Sequence, residues 1–162
     1  MKLTRLTLVS GFVAVCAAGL AGIGGAHGTE TRCVAISTSS EGSGFATFLG
    51  NCNGYKTSIT ASSGAVLGRV GGLTVALVGQ PNMAGRIGAR RTSYAILGST
   101  ITGHYGDYQL RFTMIGNVGV GHVGSARVVC TRISSDWSTL FVCRGTGAEA
   151  LIPVLARRYA AP

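Results

Sequence analysis

The sequence predicts an all-β fold: a single antiparallel sandwich or barrel-like domain with at most a short C-terminal helix. Three observations carry this expectation. Tyr108 to Met114 alternates strictly, with Leu110, Phe112 and Met114 on one face and Gln109, Arg111 and Thr113 on the other, the period-two pattern of a half-buried strand. Comparable short runs recur between glycine-rich breaks at roughly eight- to twelve-residue spacing, as in sandwiches and barrels. No long stretch shows the 3.6-residue period of an amphipathic helix.

The chain opens with Lys2 and Arg5, then an uncharged run from Leu6 to Gly22, then small residues. This is the order of a secretory signal, with Gly24 and Ala26 suited to cleavage after Ala26. The run is rich in Gly and Ala and near the lower length limit for a membrane span, so a cleaved signal is expected over 1–26 and one domain over 27–162. Leu20-Ala21-Gly22 resembles the residues before the acylated cysteine of a bacterial lipoprotein. Ile23 stands where that cysteine belongs, and Val15 is too bulky to make Cys16 a substitute, so no acyl chain is expected.

Cleavage there leaves 136 of 162 residues, enough for a single core. It removes Lys2 and Arg5, so the net charge falls from +9 to about +7. Four cysteines remain, Cys33, Cys52, Cys130 and Cys143. An even number in a small exported domain implies disulfides. None has the C-x-x-C spacing of a zinc ribbon or redox motif. Three pairings are open. Local pairing joins Cys33 to Cys52 and Cys130 to Cys143, each across one expected turn; nested pairing joins Cys52 to Cys130 and Cys33 to Cys143.

In chain order the expected strands are TRCVAIS, FATFL, YKTSIT, LTVALV, TSYAIL, YQLRFTM, ARVVCT and STLFVC. LTVALV, almost wholly apolar, suits a central strand. Asn53-Gly54 is a favoured two-residue hairpin turn; Ser134 to Trp137 is a second turn, and Ser37 to Gly44 a loop. Thr146 and Glu149 have capping-box spacing, but Pro153 falls inside the run and is expected to break the helix. No internal repeat is evident.

Gly119, Gly121 and Gly124 spell G-x-G-x-x-G, with Asp136 downstream. A dinucleotide turn needs a helix after the glycines to present its N-terminus to the pyrophosphate. SARVVCT follows instead and is β-rich, so the stretch is expected to be a flexible link between strands. No cofactor is implied. His104 and His122 with Asp107 would make a metal site only if folding brought them together. His104, Asp136 and a serine would make a triad, but no G-x-S-x-G accompanies them. With five acidic residues, paired-carboxylate catalysis has few candidates.

The basic residues are more suggestive. Arg86, Arg90 and Arg91, near Tyr94, form a candidate binding patch for an anionic envelope polymer, lipid headgroups or a host surface. The plainer reading is a solvated loop. Nucleic acid is not expected, because no recognition motif accompanies the charge.

Four segments, CNGYKTSITASSG from Cys52, TVALVGQPN, GHYGDYQLRFTMIGN and VGSARVVC ending at Cys130, resemble the mycobacterial 19 kDa lipoprotein antigen family. The leader AGLAGI is similar to that family's AGLSGC. The match covers roughly half the chain. The chain departs from the pattern in lacking the acylated cysteine and its linker and in adding Cys33, Cys143, a C-terminal tail and strong basic charge. The resemblance implies a non-enzymatic cell-envelope antigen with a Cys52–Cys130 disulfide.

Together these readings predict an exported, disulfide-stabilised β-domain that acts at the envelope or outside by binding. The alternatives are a small secreted hydrolase using His104 or His122, and a secreted inhibitor or toxin with a basic surface.

Overall fold

The computed structural model describes residues 31–39, 44–135 and 138–160. The leader, residues 40–43 of the expected loop, and Asp136 and Trp137 of the second expected turn lie outside them, while Ser37 to Ser39 of that loop belong to a strand. The described chain forms twelve strands and one helix: β1 (Arg32–Ser39), β2 (Phe45–Cys52), β3 (Tyr55–Ser62), β4 (Ala65–Val70), β5 (Leu73–Val78), β6 (Met83–Ile87), β7 (Arg90–Leu97), β8 (Thr100–Tyr105), β9 (Tyr108–Ile115), β10 (Val118–Val123), β11 (Ala126–Ser134), β12 (Thr139–Arg144) and α1 (Ala148–Ala160). Each strand pairs antiparallel with its sequence neighbours, and β1 pairs with β12, so the sheet closes into a barrel. Closure leaves no open edge strand.

Helix α1 fills the lumen. Ala150 to Ala156, nearly two turns in succession, are all buried, so no face of this part of the helix is left to solvent. A helix that is apolar all round needs a surrounding wall, and the barrel supplies it. The helix begins at Ala148, through backbone bonds from Ala148 to Gly145 and from Ala150 to Gly147, rather than through a Thr146 cap. It also runs through Pro153 instead of breaking. Proline denies the Glu149 carbonyl its helical donor. At the next residue the Tyr94 hydroxyl donates to the Ala150 carbonyl, so the wall bonds to the helix where the proline loosens it. The far end is held by Arg157, which donates to the Ser63 carbonyl, and by Tyr159 packed on Phe141.

The barrel is built from a repeat that inspection of the sequence overlooks. Gly50, Gly68, Gly85, Gly103 and Gly121 recur every 17 or 18 residues. Each is followed by a polar or basic residue, then a buried one, then a turn: GNCNG, GRVGG, GRIGA, GHYGD and GHVGS. The first glycine faces the lumen on an even-numbered strand. At Gly121 an added Cβ would overlap the Arg111 carbonyl oxygen and the Phe112 Cα, because Phe112 lies directly opposite on β9. The pairs Gly68–Ile59, Gly85–Leu77 and Gly103–Tyr94 repeat this arrangement. The last glycine turns the hairpin; Gly124 has φ 61°, a left-handed value natural to glycine.

This repeat explains Gly119, Gly121 and Gly124. The stretch is neither a nucleotide turn nor a link: it is strand β10 with its turn. Likewise Arg86 to Tyr94 is a hairpin of β6 and β7 and not a loop. Asn53-Gly54 makes the expected two-residue turn, with Asn53 at φ 54°.

The four cysteines share one inward-facing row across β11, β12, β1 and β2, in the order Cys130, Cys143, Cys33, Cys52. The disulfides are Cys33–Cys52 and Cys130–Cys143, each with Cα atoms 4.0 Å apart. The Cys52–Cys130 bridge implied by the resemblance is not made. Those residues are three strand spacings apart, roughly 14 Å, well beyond disulfide reach. The two bridges staple the strands on either side of the β1–β12 seam.

Candidate functional site

The outer face of the barrel is sorted by charge. At one end lie the five short turns of the repeat, and next to each turn, and at the β12–β1 closure, one cross-strand pair points outward. Going round the barrel these pairs are Asn51–Lys56, Arg69–Thr74, Arg86–Arg91, His104–Gln109, His122–Arg127 and Arg144–Arg32. Every pair contains a lysine, arginine or histidine. Arg111 adds a further charge one step up β9, opposite His122. Farther from the turns the outward positions carry Thr, Ser, Ala, Val, Ile, Leu and Phe. The result is a basic collar at one end and an uncharged band above it. Among the described residues the only carboxylate side chains are Asp107, in the β8–β9 turn, and Glu149, in the lumen.

The collar arises from strand geometry. In each repeat the lumen-facing glycine fixes the next residue outward, because side chains alternate. That next residue is Asn51, Arg69, Arg86, His104 or His122. Neighbouring hairpins stand two strands apart, roughly 10 Å, so the charges form a ladder around the barrel.

Its densest part is the row Arg111–His122–Arg127 across β9, β10 and β11. These three line a groove of about 380 Å³ with Thr113, Val120 and Gly121. A neighbouring groove of about 580 Å³ shares Arg111 and adds His104, Gln109 and Ser93. Each groove includes one of the lumen-facing glycines, Gly121 or Gly103. Guanidinium groups on a rigid sheet suit phosphate, sulfate or carboxylate oxygens, which they bind in a bidentate fork.

The residues expected from sequence separate. Arg86 and Arg91 are directly opposed on the outer face, inside the collar. Arg90 is at the barrel mouth, its guanidinium 5.0 Å from the Tyr105 ring centre and 5.2 Å from that of Tyr108. Tyr94 is 2% exposed in the lumen and cannot share a ligand with them. His104 and His122 both point outward, separated by β9. Across its strand pairs His104 meets Ser93 and Gln109, and His122 meets two arginines. Among the described residues no three metal-ligating side chains gather, and Asp136 lies outside them. Arg111 and Arg127 were not singled out from sequence; the signal available was the strict alternation of Tyr108 to Met114 and the G-H-V-G repeat unit.

At the collar end of the lumen, Glu149 accepts a hydrogen bond from the Tyr105 hydroxyl at 3.4 Å. Burial, and the nearby Glu149 carboxylate, push the Tyr105 hydroxyl up to about 12. Burial holds Tyr94 well above the ordinary tyrosine value. Arg90, Tyr105, Tyr108 and Glu149 line a cavity of about 240 Å³ here. The group serves to tie helix to wall.

No family model matches the chain, and no curated protein or solved structure is similar to it.

Proposed function

We propose that this is an exported envelope or secreted protein that works by binding, with the basic collar as its contact surface and arrayed phosphate or carboxylate groups as the chemistry recognised. One observation carries the reading: each of the six outward pairs at the collar end contains a basic side chain, and no outward strand position among the described residues holds a carboxylate. A solvated surface with no anionic partner would normally intersperse both signs. The two disulfides fit an oxidising compartment, and the leader grammar supports export. Cationic arrays on a rigid barrel attract a polyanion from a distance and hold it by several weak contacts.

The test uses the disulfide-bonded mature chain and inorganic polyphosphate. Arg111→Gln/Arg127→Gln should weaken binding about tenfold or more, since each surface cation contributes on the order of 1 kcal/mol. The binding should also weaken between 0.05 and 0.5 M salt, through screening (roughly, from the Debye length). Unaltered affinity in the double variant would remove the Arg111–His122–Arg127 row from the proposal.

A further inference from the structure

The uncharged band is not uniform around the barrel. Where the sheet closes, Ile133, Leu140, Ile36 and Leu49 are consecutive cross-strand partners on β11, β12, β1 and β2. Ile133 is 57% exposed, Ile36 42% and Leu49 44%, with Leu140 half-buried between them. Val142 and Val34 form a second paired row beneath them. On the opposite wall the outward positions of β7 and β8 carry Ser93, Ala95, Thr100 and Thr102, with Leu97 the one large apolar residue among them. A contiguous exposed apolar row of this kind marks a contact surface, unlike scattered single residues.

Directly below these rows on the same face stands the collar: Arg127 on β11, Arg144 on β12, Arg32 on β1 and Lys56 on β3. Apolar rows thus lie beside a cationic row, with no carboxylate between them. We infer that the β11–β12–β1–β2 seam is a docking face for the surface of a lipid bilayer bearing anionic headgroups, the apolar rows entering the acyl boundary while Arg32, Arg144 and Arg127 hold phosphates. This deepens the collar reading and rests on it. Charge complementarity selects the occupant: a purely apolar partner would leave the arginines unused, and a soluble polyanion would leave Ile133, Leu140, Ile36 and Leu49 in water. The strands run from five to nine residues, mostly short of the roughly nine to eleven needed to span, so the barrel lies on the bilayer rather than through it. Apolar residues at the headgroup boundary combined with Lys/Arg on phosphates is the general form of interfacial binding.

The experiment is flotation of the mature protein with vesicles of phosphatidylglycerol and phosphatidylcholine, against vesicles of phosphatidylcholine alone. Polyphosphate affinity and sedimentation equilibrium are measured alongside. The variants are Ile36→Ser/Leu140→Ser for the apolar row, with Leu49→Ser as a milder change, and Arg32→Gln/Arg144→Gln for the cationic row. Wild type should bind the anionic vesicles at least tenfold better than the neutral ones. The serine variants should lose anionic-vesicle binding about tenfold, with Leu49→Ser losing less, while polyphosphate affinity stays unchanged. The glutamine variant should lose both. Serine variants that float like wild type would overturn the inference and leave the collar reading intact. Loss of a dimer in the serine variants, with flotation unchanged, would overturn it too and assign the seam to contact between copies. Failure of wild type to bind polyphosphate would sink the collar reading itself.

Discussion

At Gly121 there is no room for a side chain, since a Cβ would overlap the backbone of β9. Gly121→Val should therefore destabilise by about 3 kcal/mol or more, at the upper end for overpacking. Gly116, in an open turn at φ 60°, gives the contrast: Gly116→Ala meets no atom and should cost only about 1 kcal/mol, from backbone conformation. Equal losses in chemical denaturation would mean that close approach does not govern the repeat. Tyr105 makes a second residue-scale prediction. Its hydroxyl stays protonated in the fold up to about pH 12, whereas in the unfolded chain it ionises near 10. The unfolded state thus releases its proton first as pH rises. Stability is fully present below about pH 10 and declines as pH climbs towards 12. Tyr105→Phe should flatten that alkaline decline, read from melting temperatures between pH 8 and 12. An unchanged slope would assign the decline elsewhere.

At the scale of elements, legibility followed side-chain pattern. The eight strands read from sequence are those with dense β-branched or aromatic runs. The four missed, β4, β6, β8 and β10, each place a glycine mid-strand, and glycine in a strand ordinarily signals weakness or a bend. Here the opposite strand supplies a large inward residue, such as Phe112 facing Gly121, so the pair fills the core together. The helix was half legible. Its apolar content was visible, but proline argued against continuity, and only the enclosing wall, with Tyr94 at the Ala150 carbonyl, shows why it persists. Because α1 is the core of the barrel, Leu151→Ala should cost about 3 kcal/mol, the loss of a fully buried leucine. A loss below about 1 kcal/mol would place the helix outside the lumen. The disulfides close loops of 19 and 13 residues, and removing either pair should cost about 3 kcal/mol in the chain-entropy picture. Non-reducing peptide maps should yield Cys33–Cys52 and Cys130–Cys143 fragments. A Cys52–Cys130 peptide would contradict the cysteine row.

For the molecule as a whole, the net positive charge was plain in the composition, but its arrangement was not. GRIGARR drew attention because three arginines are close in sequence. In the barrel the larger fact is that residues 17 or 18 apart, such as Arg69, Arg86, His104 and His122, come to one level. Closeness along the chain matters less than sharing a phase of the repeat. The central claim is that position, and not net charge alone, creates the binding surface. The direct measurement compares two variants that each lower the net charge by two: Arg111→Gln/Arg127→Gln in the collar, and Thr60→Glu/Leu97→Glu on outward positions of the uncharged band. Affinity for inorganic polyphosphate is measured for both at about 0.1 M salt, where the Debye length is about 10 Å. The account predicts a loss of about tenfold or more in the collar variant and a change of less than about threefold in the band variant, whose new charges lie near or beyond a Debye length from the collar. Equal losses in the two variants would contradict it, showing that the chain attracts anions by overall charge and that the collar is not a site.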